Sequence, residues 1–504
     1  MKTTALLILF LVSGYHWSLS QHNTTGLEVG KKISRSIRLG DSDSYALRLD
    51  KSQFALIDLK QIGIDLKITT YTPEGDKIEE FDSPNGSDGN EIILVDAPTE
   101  GLYEIKVSPL GEEKKIRKGS YEIKLVSINT AVESHLDKVL TTLYERNHIP
   151  GFGVSILNAE KLLYQNAMGY AKLLEKVPYT VKTVQNIASI SKTFIGLSLM
   201  KLVEQGKLDL DTPINGILPF KVINPYFPKK PITIRHLATH TSSINEKGFY
   251  YKAYILLEEG ASDKYSYHKH FVKELHRAKD NPRITLPEFL EGHLSTTGRD
   301  YKKKNFFKVE PGKDWYYSNT GASLAAYIVE LVSGEPYKEF VQKNILNPLH
   351  LESAVWFGNV DGKFALATQY DSKGNPLPKR TIITYPDGEM YMNVSDLGKY
   401  LLGFIKAYAS EGNNPLKEMM KVQHEQPTGD FKGRKDGIFW EYARSGVMGH
   451  SGGDYGVNAF MYFDPTTHLG FTYMCNIMPR ESMYSNAESM SIWAVLKRYA
   501  KYIK

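Results

Sequence analysis

In Ala188-Ser189-Ile190-Ser191-Lys192-Thr193-Phe194 a hydroxyl and an amine stand three positions apart, where the chain reads as the start of a helix. Residues so spaced share a helix face, which folds the Lys192 amine back beside the Ser189 hydroxyl. A serine alone is a weak nucleophile, but a desolvated lysine held near other positive groups loses its proton and can act as its base. The helix N-terminus adds partial positive charge and unused backbone N–H groups, which favour an oxygen becoming anionic there. One turn of chain can thus carry the centre of an acyl transfer, although a Ser–Lys pair at this spacing also arises by chance in a chain of this length.

Such a centre also needs a proton shuttle and an oxyanion pocket. The shuttle candidate is Tyr317 in Tyr317-Ser318-Asn319, just ahead of a helix expected to begin near Gly321-Ala322. A phenol held beside an ammonium is pushed toward phenolate and can pass a proton to a leaving group. Asn319 brings an amide donor and a carbonyl acceptor, suited to orienting a substrate amide or Lys192. The pocket candidate is Gly449-His450-Ser451-Gly452-Gly453, followed by a strand-like run from Val457 to Phe463. Its glycines let a strand edge approach a substrate closely. A backbone N–H there, paired with that of Ser189, would make an oxyanion hole, in which one donor contributes about 3 kcal/mol.

Two competing readings fail on the sequence. Gly449 to Gly453 fits a Gly-x-Ser-x-Gly nucleophile elbow with Ser451 as the nucleophile, but extended chain follows where that elbow needs a helix. The one downstream histidine, His468, sits in a turn. His236 and His240 have zinc-ligand spacing, but Leu237 stands where a metalloprotease carries glutamate.

The elements that must position these segments fall into two blocks. From about Gly26 to Ile128 the pattern has period two, with strands expected at 45–49, 54–59, 66–68, 92–95, 103–107 and 121–125 between Gly-, Pro- and Asp-rich turns. That predicts a small antiparallel β-sandwich. From Thr130 the pattern changes: Val132, Leu136, Val139, Leu140 and Leu143 share one helical stripe, and Gly151 to Leu157 and Lys161 to Tyr164 read as paired strands. The nucleophile helix follows, and strands with a terminal helix from about Ser482 to Tyr499 close the chain. The fold class read from this order is α+β, an antiparallel sheet flanked by helices with a helical subdomain, preceded by the all-β sandwich. The expected division is a leader over 1–20, a sandwich over 22–128 and a hydrolase domain over 130–504.

A chain of 504 residues with 41% hydrophobic and 24% charged residues is globular and long enough for more than one domain. A net charge of +5 is too dilute over this length to argue for nucleic acid. Met1-Lys2, the apolar run from Ala5 to Val12 and Ser18-Leu19-Ser20 have the form of a secretory signal peptide cleaved near Ser20-Gln21. The run is far short of the roughly 18 residues of a membrane span. The single cysteine, Cys475, lies far from that point in an apolar run, where it reads as a packing residue. A secreted or periplasmic protein without a transmembrane anchor after cleavage is expected.

Taken in order, Ser189-Ile190-Ser191-Lys192, Tyr317-Ser318-Asn319 and His450-Ser451-Gly452 resemble the motifs of the class C β-lactamase type of serine hydrolase, a family that includes penicillin-binding proteins, D-stereospecific peptidases and esterases. Linking phrases such as Leu208-Asp209-Leu210-Asp211-Thr212-Pro213 and His236-Leu237-Ala238-Thr239-His240-Thr241-Ser242 are similar to the family's, and the resemblance runs from about Thr130 to the C-terminus. It implies Ser189 as the acylated nucleophile, Lys192 as its base and Tyr317 as the shuttle. It further implies that Asn319, His450, Gly452 and Gly453 meet the substrate, and that the N–H groups of Ser189 and Gly453 form the oxyanion hole. His236 and His240 then read as structural, and the chemistry calls for no metal or cofactor. More distantly, the sandwich resembles the pre-peptidase C-terminal domain of secreted bacterial hydrolases, chiefly in Gly101-Leu102-Tyr103-Glu104-Ile105, which makes cell-envelope association its expected use.

One departure bears on substrate. The β-lactamases of this type carry Lys-Thr-Gly in the third motif and use that lysine on the substrate carboxylate, whereas His450 is mostly neutral at pH 7. The expected activity is therefore that of an exported acyl-enzyme hydrolase for D-amino-acid peptides or small esters rather than β-lactams, with a small-molecule or peptide substrate and no nucleic-acid partner. The alternative from a different class is a non-catalytic, penicillin-binding-like sensor that keeps the fold. Asn245 to Arg283 reads as a helical insertion near the mouth of the site.

Overall fold

The computed structural model describes residues 25–82, 87–110, 118–146, 149–258, 267, 269–357, 362, 364–412, 414–421, 436–443, 446–477 and 487–503. The expected leader and the expected start of the last helix at Ser482 lie outside the described residues. The chain divides into two compact units, residues 1–135 and 136–504.

The first unit is built from two sheets. One orders Thr25–Gly26, Asp43–Leu49, Gly101–Pro109, Leu66–Tyr71 and Lys77–Phe81; the other orders Lys32–Arg38, Lys118–Asn129, Phe54–Ile62 and Asp88–Asp96. Successive side chains in a strand point to opposite faces. Tyr45, Leu47 and Leu49, Tyr103, Ile105 and Val107, and Tyr121, Ile123 and Leu125 accordingly meet in one buried core with Ile57 and Leu59. Inside it the hydroxyls of Tyr45 and Tyr121 lie 2.7 Å apart and Tyr121 donates to Asp43 at 2.6 Å. Two strands, Lys32–Arg38 and Lys77–Phe81, escape the period-two reading. Only Ile37 is buried in the first and no residue in the second; Ile33, Ile78 and Phe81 pack against the core only partly buried, so neither strand shows a clear alternation.

The second unit is organised by a seven-stranded antiparallel sheet. In chain order its strands are β1 (Gly151–Leu157), β2 (Leu162–Lys172), β3 (Val177–Pro178), β4 (Glu441–Tyr442), β5 (Met448–Asp454), β6 (Val457–Phe463) and β7 (Gly470–Cys475), arranged β3-β2-β1-β7-β6-β5-β4. The central pair β1 and β7 is supplied by opposite ends of the unit, as expected from the sequence. Phe152 on β1 and Tyr473 on β7 share one face, where Tyr144 of helix α1 (Val132–Arg146) meets Phe152. Trp493 of the terminal helix, Ala487–Tyr499, lies against Phe471 of β7, which points the same way as Tyr473. On the other face Ser155 and Thr472 share a hydrogen bond of 2.6 Å under the helix Val394–Ala409.

Helix α2 (Ser191–Glu204) runs through the middle of this layer, and Ser191, Lys192, Thr193, Phe194 and Ile195 are all buried. A helix apolar or covered on every side is a core helix rather than a surface one. Phe194 stacks on Tyr400 with ring centroids 4.3 Å apart, and Thr193 shares a 3.0 Å hydrogen bond with the Tyr400 hydroxyl. Such a stacked pair contributes about 1 kcal/mol beyond its area. The chain enters α2 from Gln185–Asn186, which pairs with Met390–Met392, itself paired with Val355–Trp356. The described part of the 245–283 segment is only partly helical: beside the helix Lys269–Lys279 it forms a strand, Tyr254–Leu256, paired with Arg380–Ile382.

Gly196, mid-way along the first half of α2, packs against backbone. A methyl group there would lie 2.5 Å from the Ile438 carbonyl oxygen and 2.7 Å from Met419 Cε. Glycine to alanine inside a helix ordinarily gains up to about 1 kcal/mol, but here overpacking, at about 1–3 kcal/mol, opposes it. Gly196→Ala is expected to lower stability, read as a reduced thermal midpoint; an unchanged or raised midpoint would contradict this packing of α2.

Candidate active site

Ser189 lies in a single 3-10 turn, Ala188–Ile190, that runs directly into α2. Ala188 has φ +45°, a conformation rare for a residue with a Cβ. The turn is pinned from both sides. The Ala188 N–H donates to the Asn186 side-chain oxygen, its carbonyl accepts from Ser191 Oγ at 2.6 Å, and Ser191 Oγ in turn accepts from the Met390 N–H at 3.1 Å. The Ile187 N–H donates to the Met390 carbonyl at 3.0 Å. The strand Met390–Met392 therefore fixes where the Ser189 oxygen points.

Lys192 is fully buried, and its Nζ lies 3.0 Å from Ser189 Oγ and 2.6 Å from the carbonyl oxygen of Asp387. The Asp387 carboxylate is 4.0 Å away and is held by Tyr250 Oη at 2.8 Å and Ser323 Oγ at 3.0 Å. Burial pulls the lysine below its ordinary pKa, while Asp387, Glu246, Glu441 and Asp454 oppose the shift. The expectation that neighbouring positive charges depress it is corrected: carboxylates surround this amine, and desolvation alone does the lowering. A neutral amine has two N–H donors and one lone pair. Nζ donates to Asp387 O and to Ser189 Oγ, and once the amine has lost a proton its lone pair is within reach of the serine hydroxyl.

Tyr317 joins the pair from the second segment. Its hydroxyl hydrogen-bonds Ser189, and Lys192 Nζ sits 5.1 Å from its ring centre. The phenol is nevertheless pushed well above its ordinary value, by burial first and by Glu441, Asp387 and Glu246 next. This corrects the expected drift toward phenolate: the hydroxyl is kept protonated. The ring is packed by His240, 4.4 Å away between centroids, whose Nδ1 accepts the Ser318 N–H at 3.2 Å. His236 Nδ1 accepts the Thr233 N–H in a helix capping box. Both histidines of the discarded zinc reading are thus engaged in holding backbone.

The helix behind Tyr317, α3 (Asn319–Ser333), begins two residues earlier than the sequence suggested, because Ser318 is its N-cap, accepting from the Gly321 N–H at 2.9 Å. Asn319 is therefore a first-turn residue, and its amide donates to Glu246 at 2.9 Å.

The third segment is β5. Gly452 lies against the nucleophile turn: a methyl group there would be 2.2 Å from the Ile187 carbonyl and 3.3 Å from the Ser189 nitrogen. Ser451 N–H points away from the partner strand β6, toward Glu441 Oε2 at 3.3 Å. Backbone N–H groups of residues two apart point the same way, so the Gly453 N–H faces that same open edge. His450 is buried, with Nδ1 2.6 Å from the Ser451 carbonyl and Nε2 3.8 Å from Glu441. It is packed into the sheet rather than displayed at its edge. Ser451 is exposed and its Oγ donates to Glu441, with strand rather than helix on either side, which agrees with setting aside the elbow reading.

The structure therefore gathers Ser189, Lys192 and Tyr317 within direct contact and sets Gly452 beside them. Sequence reasoning missed Asp387, Glu246 and Tyr250. Asp387 ends a short 3-10 turn, Tyr385–Asp387, with no periodicity to mark it. Glu246 stands between Asn245 and Lys247 and Asp387 between Pro386 and Gly388, so neither carried a signal in its neighbours.

A family model described as beta-lactamase matches residues 136–491. Penicillin-binding protein 4* of Bacillus subtilis (strain 168) is 30% identical over 216 residues, which cover 42% of this chain and 39% of that protein, so the chain spans well under two thirds of this relative's length. Among solved structures, the octameric penicillin-binding protein homologue from Pyrococcus abyssi aligns with a TM-score of 0.54 at 24% identity, covering 73% of this chain and 78% of the other. The beta-lactamase/D-alanine carboxypeptidase from Yersinia pestis aligns with a TM-score of 0.54 at 17% identity, covering 73% and 98%. At such identities the two structures speak to the fold: an antiparallel sheet with flanking helices. The family match runs through all three motif segments, and the chain belongs to the beta-lactamase family of serine hydrolases.

Proposed function

We propose that this protein is an exported serine hydrolase that cleaves an amide or ester through an acyl-enzyme on Ser189. The observation that carries the reading is the 3.0 Å contact between a fully buried lysine and the serine oxygen, with a phenol hydrogen-bonded to the same oxygen. In the forward step Lys192 accepts the Ser189 proton while Oγ attacks the carbonyl carbon. The oxyanion that forms is met by the N–H groups of Ser189 and Gly453. Tyr317, kept protonated by its surroundings, gives its proton to the leaving group and recovers one from Lys192; water then follows the reverse route to release the acid.

D-amino-acid peptides and small esters are the proposed substrates. The third motif offers no lysine for a substrate carboxylate, and His450, the residue in its place, is buried beside Glu441. Secretion rests on the leader-like N-terminus, and envelope association rests on the sandwich. Among the described residues no helix is long and apolar enough to cross a membrane.

Ser189→Ala is expected to abolish labelling by a fluorophosphonate and turnover of D-alanyl anilides and p-nitrophenyl esters; labelling that survives would refute the assignment. A chromogenic cephalosporin assayed alongside is expected to be the poorest substrate, and rapid turnover of it would overturn the substrate choice.

The pH profile follows from the two shifts. Catalysis needs Lys192 neutral, and burial lowers its pKa from 10.5, so kcat/KM should rise with pH through that lowered value. Tyr317 must stay protonated and is held well above 10.0, so no fall from phenol ionisation is expected below about pH 10. A bell centred on neutrality with a descending limb removed by Tyr317→Phe would contradict this division of roles.

Gly452→Ala would drive a methyl group against the Ile187 carbonyl and push β5 away from the Ser189 N–H. We expect kcat to fall by about 100-fold or more, as for loss of an oxyanion donor; activity within a few-fold of the parent would show that β5 does not supply one.

A further inference from the structure

Glu246 lies outside all three motifs, yet three donors of the second one and the N–H of the next residue, Thr320, converge on it. Its Oε1 accepts from the Asn319 backbone N–H and from Asn319 Nδ2, both at 2.9 Å. Its Oε2 accepts from the Thr320 N–H at 2.6 Å and from Ser318 Oγ at 3.0 Å. Two of these are first-turn N–H groups of α3, where a carboxylate is favoured by the helix dipole. All four partners are donors and an ionised carboxylate only accepts, so these bonds favour the charged form, although burial outweighs them and raises the Glu246 carboxyl above its ordinary value. The carboxylate also fixes Asn319: with Nδ2 turned to an anion, Oδ1 is turned away from it.

We propose that Glu246 is the positioning residue of the active site, holding Tyr317-Ser318-Asn319 in register with Ser189 and adding a carboxylate to the field in which Lys192 gives up its proton. This rests on the acyl-enzyme reading given above and adds to it a residue that neither touches the nucleophile nor belongs to a motif. The groups around Lys192 are the Asp387 carbonyl and carboxylate, the Tyr317 ring, and the carboxylates of Glu246, Glu441 and Asp454. Of these carboxylates, Glu246 is the one bonded to the backbone that leads into and out of Asn319. Its charge opposes the burial that lowers the lysine, so removing it makes Lys192 easier to deprotonate.

The test uses the full chain, a D-alanyl anilide and the matching ester, with kcat/KM measured across pH. Glu246→Gln is expected to reduce kcat/KM by about tenfold to a hundredfold through misplacement of the second motif. It is also expected to move the ascending limb to lower pH, by roughly half a unit or more. Glu246→Asp keeps the charge but not the reach to all four donors; it should lose rate while its limb stays with the parent. A Glu246→Gln variant with parental rate and parental limb overturns the proposal. So does a rate loss with the limb unmoved, which marks Glu246 as structural only, and so does failure of both variants to give a cooperative thermal transition. A parent chain whose turnover survives Ser189→Ala instead refutes the underlying acyl-enzyme reading, a result distinguishable from any of these.

Discussion

The constraint on which the site depends is the burial of the Lys192 amine. An ammonium sealed from water is costly, and the protein meets that cost in two ways: the Asp387 carbonyl takes one N–H, and the proton itself is held less tightly. The same nitrogen donates to the serine oxygen 3.0 Å away, so an amine that has lost its proton is already within reach of the serine's. Everything nearby serves that geometry. Ser191 to Gly196 of helix α2 are all buried, which holds its first turn in place. The strand Met390–Met392 holds the turn before it, and the turn Tyr385–Asp387 supplies the lysine's acceptor.

The carboxylates around the amine pose an apparent conflict, because four acids should favour an ammonium. Desolvation outweighs them for Lys192, and the same burial raises Asp387 above its usual range. Tyr317 feels both influences in one direction, since burial and negative neighbours each resist a phenolate. A base that gives up its proton more readily and an acid that keeps its own therefore arise from one environment, without any group of unusual chemistry.

The three motifs were legible because each joins a reactive side chain to a local backbone signal: Ser189 and Lys192 to a helix start, Gly452 and Gly453 to a strand that must come close, Tyr317 to a helix cap. The antiparallel sheet was legible because β1, β6 and β7 are nearly unbroken apolar runs. The charge environment was not. Asp387 reaches Lys192 from 195 positions away, and Glu246 reaches Asn319 from 73, through contacts that leave no periodic trace. For the same reason the sequence suggested a phenolate where the fold keeps a phenol. In the sandwich, the edge strand Lys77–Phe81 escaped because its two core-packed residues, Ile78 and Phe81, are three apart and only partly buried, which breaks the alternation.

The most direct test is a crystal structure of the chain after reaction with a small fluorophosphonate. The phosphorus is expected on Ser189 Oγ, with one phosphonyl oxygen within hydrogen-bond distance of the Ser189 and Gly453 N–H groups and the Tyr317 hydroxyl facing the leaving-group side. An adduct on Ser451 or elsewhere, or a phosphonyl oxygen turned away from β5, would contradict the account.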